Sequence, residues 1–121
     1  MNILAIDDNK DITDMLETIL SIEHNVTVVN NGKDGLRMII EGNYDLVLLD
    51  LAMPEFTGYD VVKSLKEKGL LNKQKIALFT ASSMTESEID ELQREGVKYC
   101  IRKPVDIDVL LTLVNALQPY K

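Results

Sequence analysis

Five polar residues that could do chemistry stand at the ends of apolar segments of the chain. Asp7 and Asp8 follow "ILAI" and Asp50 follows "LVLL", while Thr80 ends "IALFT" and Lys103 comes just after "YCI". A carboxylate next to a buried segment is costly to desolvate unless something compensates its charge. We therefore expect these residues to meet at one site, where they compensate one another or share a bound ion.

The chemistry of this residue set is coherent. Two carboxylates about 4 Å apart repel by roughly 4 kcal/mol at an effective dielectric of about 20, so three of them need a proton, a cation or both. Oxygen ligands without histidine or cysteine favour a hard ion such as Mg²⁺, which tends to bring phosphate oxygens with it. An aspartate can attack phosphorus, and phosphoryl transfer needs mainly placement and charge neutralisation. The set therefore indicates a Mg²⁺-dependent phosphate site that includes Thr80 and Lys103.

Short apolar runs alternate with helical periods along the chain, and these elements must position the site. Strands are predicted at 3–6, 26–29, 45–49, 75–81 and 99–101. Apolar residues at helical spacing predict helices from Asp11 to about residue 20, around 36–40, over 59–68, after Ser83 or Thr85, and over about 105–118, before Pro119. The last helix is expected to turn Ile107 inward.

Five strands alternating with five helices predict a parallel sheet covered on both faces. Ligands of such sheets bind beyond the carboxyl ends of the strands, which is where the five polar residues fall. The second strand is followed only by Asn30 and Asn31, which suits a strand at the sheet edge. The chain has no linker, repeat or low-complexity stretch, so residues 1–121 are predicted to form a single domain.

Composition narrows the class of protein. The 121 residues are 45% hydrophobic and 27% charged, with a net charge of −7, which is typical of a globular domain and argues against direct nucleic-acid binding. The single cysteine, Cys100, excludes an internal disulfide and suits a reducing compartment. No segment reads as a membrane span or a signal peptide, so a cytoplasmic protein is expected. His24 is predicted to lie on a surface loop.

The ordered motifs resemble the response-regulator receiver domain of two-component signalling, and the chain looks similar to single-domain chemotaxis regulators. The motifs are the acid pair Asp7-Asp8, the segment "DLVLLDLAMPEFTG" around Asp50, Thr80-Ala81 and Lys103-Pro104. They stand in the family's order and span essentially the whole chain. The resemblance implies a flavodoxin-like, doubly wound α/β fold with strand order 2-1-3-4-5. It fits a stand-alone regulator or a receiver taken from a longer protein.

The resemblance also implies a role for each site residue. Asp50 would be the phosphoacceptor, and Mg²⁺ would be bound directly by Asp8, largely through water by Asp7, and by the backbone carbonyl of Ala52. Thr80 and Lys103 would hold the phosphoryl oxygens.

The resemblance further implies partners. A sensor histidine kinase or phosphotransfer protein would donate the phosphoryl group, and the last two helices with the fifth strand would report the state to a downstream protein. The module would catalyse only its own phosphorylation and dephosphorylation. A cis peptide bond is expected before Pro104.

Two features depart from the family pattern. The family usually has an aromatic residue three positions before the conserved lysine, where this chain has Cys100, and Tyr99 should point to the opposite face because strand side chains alternate. Either the strand is shifted by one residue, or the protein switches without that aromatic, which we favour. Ala52 and Ser82 are small where the family tunes hydrolysis, which predicts free access of water to the phosphoryl group.

Other functions are open to the same sequence. Phosphatases of the haloacid dehalogenase type also use an aspartate nucleophile with Mg²⁺, but they need a second acid where this chain has Ala52. Flavodoxin-type flavin binding shares the sheet order, but the loop "DDNKD" is acidic and would repel a flavin phosphate. An interaction module that is never phosphorylated is a third possibility. Val109, Leu113 and Ala116 on the last helix leave a homodimer open.

Overall fold

A computed structural model of the chain describes residues 1–81 and 83–118, so the expectations for Ser82 and Pro119 lie outside the described residues. The five strands are β1 (Asn2–Ile6), β2 (Asn25–Val29), β3 (Leu46–Asp50), β4 (Ile76–Thr80) and β5 (Tyr99–Arg102). The α-helices are α1 (Lys10–Leu20), α2 (Gly32–Glu41), α3 (Gly58–Glu67), α4 (Glu86–Glu95) and α5 (Ile107–Ala116). A short 3₁₀ helix at Leu71–Lys73, which the sequence did not predict, precedes β4.

The strands form one parallel sheet in the order β2-β1-β3-β4-β5, which confirms the predicted flavodoxin-like topology. The register of the central strands fixes where the site can lie. Ile6 of β1 pairs with Leu49 of β3, so Asp7 and Asp50, the next residue on each strand, reach the same level of the sheet. The register alone therefore brings two of the predicted acids together.

Apolar side chains pack on both faces of the sheet. Alternate residues of β3 point to opposite faces: Val47 and Leu49 belong to the core under α2, α3 and α4, and Leu46 and Leu48 to the core under α1 and α5. This explains why the central strands are continuously apolar, since a strand covered on both sides has no face turned to water.

Each α-helix begins at a polar side chain that caps free backbone N–H groups. The capping residues are Asn9, Asn31, Thr57, Thr85 and Asp106. Thr57 and Thr85 both form capping boxes, with Asp60 and Glu88 respectively. Of the two caps predicted for α4, Thr85 is therefore the one used.

Two positions differ from the sequence expectations. Ile107 is 41% exposed, although helical spacing predicts that it faces inward. Helical spacing gives the side of a helix but not how far the sheet extends beneath its ends, and Ile107 lies in the first turn of α5. His24 is buried, not on the surface, and its ring nitrogen Nδ1 lies 3.2 Å from the amino group of Met1.

Candidate functional site

The three predicted acids meet at the carboxyl end of the sheet. One carboxylate oxygen from each of Asp7, Asp8 and Asp50 lies within 4.8 Å of the other two. Asp7 and Asp50 are each 1% exposed, whereas Asp8 is open to solvent. The site is therefore a compact group of three carboxylates that can be reached from one side.

Lys103 provides a positive charge at this site. Its Nζ lies 2.8 Å from Oδ1 of Asp50 and 3.8 Å from Oδ2 of Asp7. The backbone holds Lys103 in place, because its N–H donates to the carbonyl of Thr80 at 2.7 Å. The predicted cis peptide bond, Lys103-Pro104, is present. One ammonium faces three carboxylates, so the acids are only partly neutralised.

Asp7 shows what the arrangement lacks. Its Oδ1 accepts a hydrogen bond from the backbone N–H of Asn9 at 3.0 Å, while its buried Oδ2 has no hydrogen-bond partner within residues 1–81 and 83–118. Burial raises the pKa of Asp7 to about 6, assisted by the charges of Asp50 and Asp8 and opposed by the Asn9 hydrogen bond and by Lys103. An unpartnered buried carboxylate oxygen among other oxygen ligands fits a hard divalent cation such as Mg²⁺.

The Lys103 ammonium remains charged in this setting. Burial acts to lower the pKa of Lys103, but the hydrogen bond to Asp50 and the charges of Asp50, Asp7 and Asp8 outweigh it, so the pKa is raised. The charged form can donate to acceptor oxygens on several sides. Lys103 can therefore pair with an anion brought to Asp50 as well as with Asp50 itself.

The turn after β3 positions Asp50. The backbone N–H of Ala52 donates to Oδ1 of Asp50 at 3.2 Å, and the N–H of Gly58 donates to the carbonyl of Leu51 at 3.1 Å. A Cβ atom on Gly58 would lie 2.4 Å from the Asp50 carbonyl oxygen, so only glycine lets α3 start this close to the strand. Ala52 is exposed beside Asp50, which leaves its surroundings open to solvent.

Thr80 ends β4 at the same edge of the sheet and is fully buried. Its hydroxyl donates to the carbonyl of Ile101 in β5 at 3.4 Å. The hydroxyl is thus engaged with the neighbouring strand. Thr80 also connects to Lys103 through its backbone carbonyl, so the hydroxyl and the amine predicted for the site belong to one hydrogen-bonded junction of β4 and β5.

The structure decides how β5 is placed. Leu78 pairs with Cys100, and Tyr99 packs in the core under α1 and α5 whereas Cys100 packs against the opposite core. Tyr99 and Cys100 therefore point to opposite faces of the sheet, as predicted. Cys100, three residues before Lys103, takes the place of the family's aromatic residue, and the alternative of a shifted strand is wrong. Cys100 is half-buried, and burial raises the pKa of its thiol.

Two residues of the site were missed from sequence. The sequence indicates for Asn30 only a position after the edge strand, but its side-chain Nδ2 donates to the backbone carbonyl of Asp7 at 2.8 Å. The sequence predicts no role for Gly58 beyond its place in the segment after Asp50, although its missing side chain lets α3 approach Asp50. An asparagine directly after a predicted strand is the one sequence signal that could have drawn attention to Asn30.

Comparisons with known proteins agree with this geometry. The family model described as the response regulator receiver domain matches residues 3–115, and the chain belongs to this family. Among curated proteins, the transcriptional regulatory protein DltR of Streptococcus agalactiae is 35% identical over 116 residues, covering 95% of this chain and 50% of DltR. The chain thus spans about half the length of such curated relatives.

Two solved structures extend the likeness to three dimensions. The receiver domain of the Francisella response regulator 1452 is 31% identical with a TM-score of 0.85, and 96% of this chain and 94% of that one are covered. The response regulator TrrA of Thermotoga maritima, solved in complex with Mg²⁺ and BeF, is 28% identical with a TM-score of 0.79, and the coverage is 97% and 98%. No helix within residues 1–81 and 83–118 is long and apolar enough to cross a membrane.

Proposed function

We propose that this domain is a phosphorylation-dependent signalling switch in which Asp50 is the phosphoacceptor. The observation that carries the proposal is the compact group of Asp7, Asp8 and Asp50, in which Asp7 and Asp50 are buried. Lys103 Nζ lies 2.8 Å from Asp50, and the Oδ2 atom of Asp7 has no hydrogen-bond partner among the described residues. Three carboxylates and one ammonium leave an excess of negative charge, which a bound cation would neutralise. The cation and Lys103 could then bind an anion next to Asp50. A divalent metal ion and a phosphoryl group are such a pair.

Mg²⁺ would be held by carboxylate oxygens of Asp7, Asp8 and Asp50 and by the backbone carbonyl of Ala52. When bound, the ion neutralises negative charge on the acids and on an incoming phosphoryl group. The ligand set contains only oxygen atoms, which is the chemistry that Mg²⁺ prefers.

The phosphoryl donor would be a phosphohistidine of a sensor histidine kinase or phosphotransfer protein. The contacts from Lys103 and from the Ala52 N–H are both made to Oδ1 of Asp50, so we assign the attack to Oδ2. Oδ2 forms a bond to phosphorus while the P–N bond breaks and its electron pair returns to the imidazole. The product is an acyl phosphate on Asp50, whose oxygens would be bound by Lys103 and by the Thr80 hydroxyl.

Hydrolysis would return the domain to its resting state. Water attacks phosphorus, the bond to the Asp50 oxygen breaks with its electron pair on the carboxylate, and inorganic phosphate leaves. Ala52 is exposed and cannot shield this path, so we expect a short-lived acyl phosphate. An acyl phosphate that persists for many hours in buffered Mg²⁺ would contradict this expectation.

Phosphorylation would shift the domain between two conformations in the cytoplasm. The change would reach a downstream protein through α4, β5 and α5. The strand β5 is linked to the site because the Lys103 N–H donates to the Thr80 carbonyl at the end of β4. A homodimer through α5 is the second use of this surface, because Val109 is 53% exposed. Sedimentation tests it, since a Leu113→Asp change should abolish any concentration-dependent mass.

The main test is incubation with acetyl phosphate and Mg²⁺ followed by intact-mass measurement. We expect a gain of one phosphoryl group in the unmodified chain and none in Asp50→Asn. Asp45→Asn is the matched control, since Asp45 is an exposed acid just before the same strand. Its carboxylate accepts a hydrogen bond from the backbone N–H of Asn2. This control should gain the phosphoryl group as the unmodified chain does.

Other outcomes would assign the chain to another class. Multiple turnover of phosphoesters would indicate a phosphatase in place of a switch. A third outcome is no mass gain with any small phosphodonor, although Mg²⁺ shifts the amide signals of Asp8 and Ala52. This outcome would indicate an interaction module that is never phosphorylated.

A further inference from the structure

We propose that Asn30 is a positioning residue for the acid pair. Its side-chain amide holds the peptide group that joins Asp7 to Asp8, and thereby sets the geometry in which the two carboxylates meet a divalent cation. The proposal rests on the proposed function, because it concerns the same Mg²⁺ site. Asn30 is not proposed as a ligand of the ion, since it would act through the backbone of the ligands.

Both backbone polar groups of Asp7 are held by the end of β2. The N–H of Asp7 donates to the carbonyl of Val29 at 3.2 Å, and the carbonyl of Asp7 accepts from Nδ2 of Asn30 at 2.8 Å. That carbonyl belongs to the peptide group between Asp7 and Asp8. Because the peptide is planar, a rotation of this group would move Asp8 relative to Asp7. The Asn30 hydrogen bond therefore fixes the relative placement of the two acids.

Hydrogen counting fixes which way the Asn30 amide points. Nδ2 also lies 3.0 Å from Oγ1 of Thr13, and that hydroxyl donates its only proton to the carbonyl of Lys10 at 3.1 Å. The Thr13 oxygen must then accept from Asn30. Since the Asp7 carbonyl is also an acceptor, both protons of the Asn30 amide are used, and the amide oxygen faces away from them.

The identity of the side chain matters here more than its size. Aspartate has nearly the same shape as asparagine but cannot donate, so Asn30→Asp would place an acceptor against two acceptors. The added negative charge near the site would by itself attract Mg²⁺. A loss of Mg²⁺ affinity in this variant would therefore come from lost geometry, because the charge effect has the opposite sign. Asn30 is exposed, so the exchange opens no cavity.

The experiment is a Mg²⁺ titration of the ¹⁵N-labelled chain, followed through the amide signals of Asp8 and Ala52. In Asn30→Asp we expect the Kd for Mg²⁺ to rise roughly three- to tenfold, below the roughly 10- to 100-fold typical of residues that contact a ligand side chain, because Asn30 acts on backbone. Asn25→Asp is the matched control, because Asn25 is exposed at the opposite end of the same strand. Its Kd should stay within about twofold of the unmodified value.

A second variant separates positioning from a general structural role. Thr13→Val removes the hydroxyl that accepts a hydrogen bond from Asn30 and donates one to the backbone carbonyl of Lys10. The hydrogen bond from Asn30 to the Asp7 carbonyl can still form in this variant. Thr13→Val should lower the melting temperature with a smaller rise in Kd than Asn30→Asp. An equal rise in Kd in the two variants would overturn the proposal, because loosening of α1 would then explain both.

Each remaining result also has one meaning. An unchanged Kd in Asn30→Asp, with the unmodified chain binding Mg²⁺, would refute the role of Asn30 and leave the proposed function intact. Absence of saturable Mg²⁺ shifts in the unmodified chain would refute the proposed function itself.

Discussion

The interior of the sheet and its carboxyl edge lie one residue apart along β1 and β3. Leu48 and Leu49 are completely buried among apolar side chains, and Asp50, the next residue, is 1% exposed. The same step separates Ile6 from Asp7 on the neighbouring strand. The two regions are therefore equally buried, but one is apolar and the other is charged. Because Ile6 pairs with Leu49, the step from apolar to charged residues occurs at the same level of the sheet in both strands.

The comparison shows how burial acts with opposite sign in the two regions. Burying a leucine side chain stabilises the fold by roughly 1.5–3 kcal/mol. Burying a carboxylate costs free energy unless it is paired, and Lys103 pairs closely with Asp50 but lies 3.8 Å from Asp7. The charge of Asp7 at the edge is thus only partly compensated by Lys103. Substitutions should destabilise the interior and, without metal, stabilise the edge.

The largest effect is expected from Leu48→Ala in the interior. Leu48 lies in the core under α1 and α5 and has no exposed surface. Removing its side chain should lower the free energy of unfolding by about 2–5 kcal/mol, through lost burial and the cavity left behind. Urea denaturation followed by circular dichroism measures it. Ile22→Ala is the control, since Ile22 is 82% exposed and should change stability by less than about 0.5 kcal/mol.

The second prediction concerns Gly58, which connects the interior to the edge. A Cβ here would lie 2.4 Å from the Asp50 carbonyl oxygen and 2.7 Å from the Leu51 Cα, and neither backbone atom can rotate away. Gly58→Ala should cost about 1–3 kcal/mol of stability through overpacking and slow phosphorylation by acetyl phosphate, because Asp50 is displaced.

Gly69→Ala is the control for Gly58. Gly69 has a φ of 71° and open space around its Cα, so alanine there strains only the local backbone. It should lower stability by roughly 1 kcal/mol and leave the phosphorylation rate unchanged. A Gly58→Ala variant that loses stability but is phosphorylated at the normal rate would show that the close approach of α3 does not position Asp50.

The convergence at the edge could be predicted from sequence for a simple physical reason. Carboxyl ends of parallel strands meet at one edge, so a residue that follows a strand has a known location whatever the side chain. Asp7, Asp50 and Lys103 were predicted in this way, and the structure brings them together.

What could not be predicted depends on contacts between elements distant in sequence. The amide of Asn30 points at Asp7 because β2 ends beside β1 with Val29 opposite Ile6, and the hydroxyl of Thr80 turns to Ile101 because β5 presents a carbonyl there. The exposure of Ile107 depends on how far the sheet extends beneath α5. Periodicity in one segment contains no information on these distances.

The third prediction reverses the sign, at Asp7. Burial raises its pKa in the folded state to about 6 from 3.8, so the folded state favours the protonated acid. The contribution of Asp7 to metal-free stability should therefore be most favourable below pH of about 4, fall as pH rises towards 6, and stay lowered above that value. Asp7→Asn should then be more stable than the unmodified chain at pH 7.5, by on the order of 1–3 kcal/mol.

Denaturation of both proteins at several pH values measures the difference. The advantage of Asp7→Asn should shrink between pH 6 and pH 4 and vanish below pH of about 4. Mg²⁺ should raise the stability of the unmodified chain and narrow the difference, because the ion binds only the folded state. A variant less stable than the unmodified chain at pH 7.5 without metal would mean that Lys103 already compensates Asp7.

The smallest effect on metal-free stability is expected at Asp8, the exposed member of the acid pair. Asp8→Asn should change the free energy of unfolding by less than about 0.5 kcal/mol at pH 7.5, because water already solvates this carboxylate. The same variant should lose most of the stabilisation that Mg²⁺ gives the unmodified chain. Compared with Asp7→Asn, this variant distinguishes two causes of destabilisation at the edge, repulsion among the carboxylates and burial of Asp7. Urea denaturation of both variants measures the free energies of unfolding. If both variants stabilise the metal-free chain equally, repulsion among the acids is the cause, whereas a gain confined to Asp7 assigns it to burial.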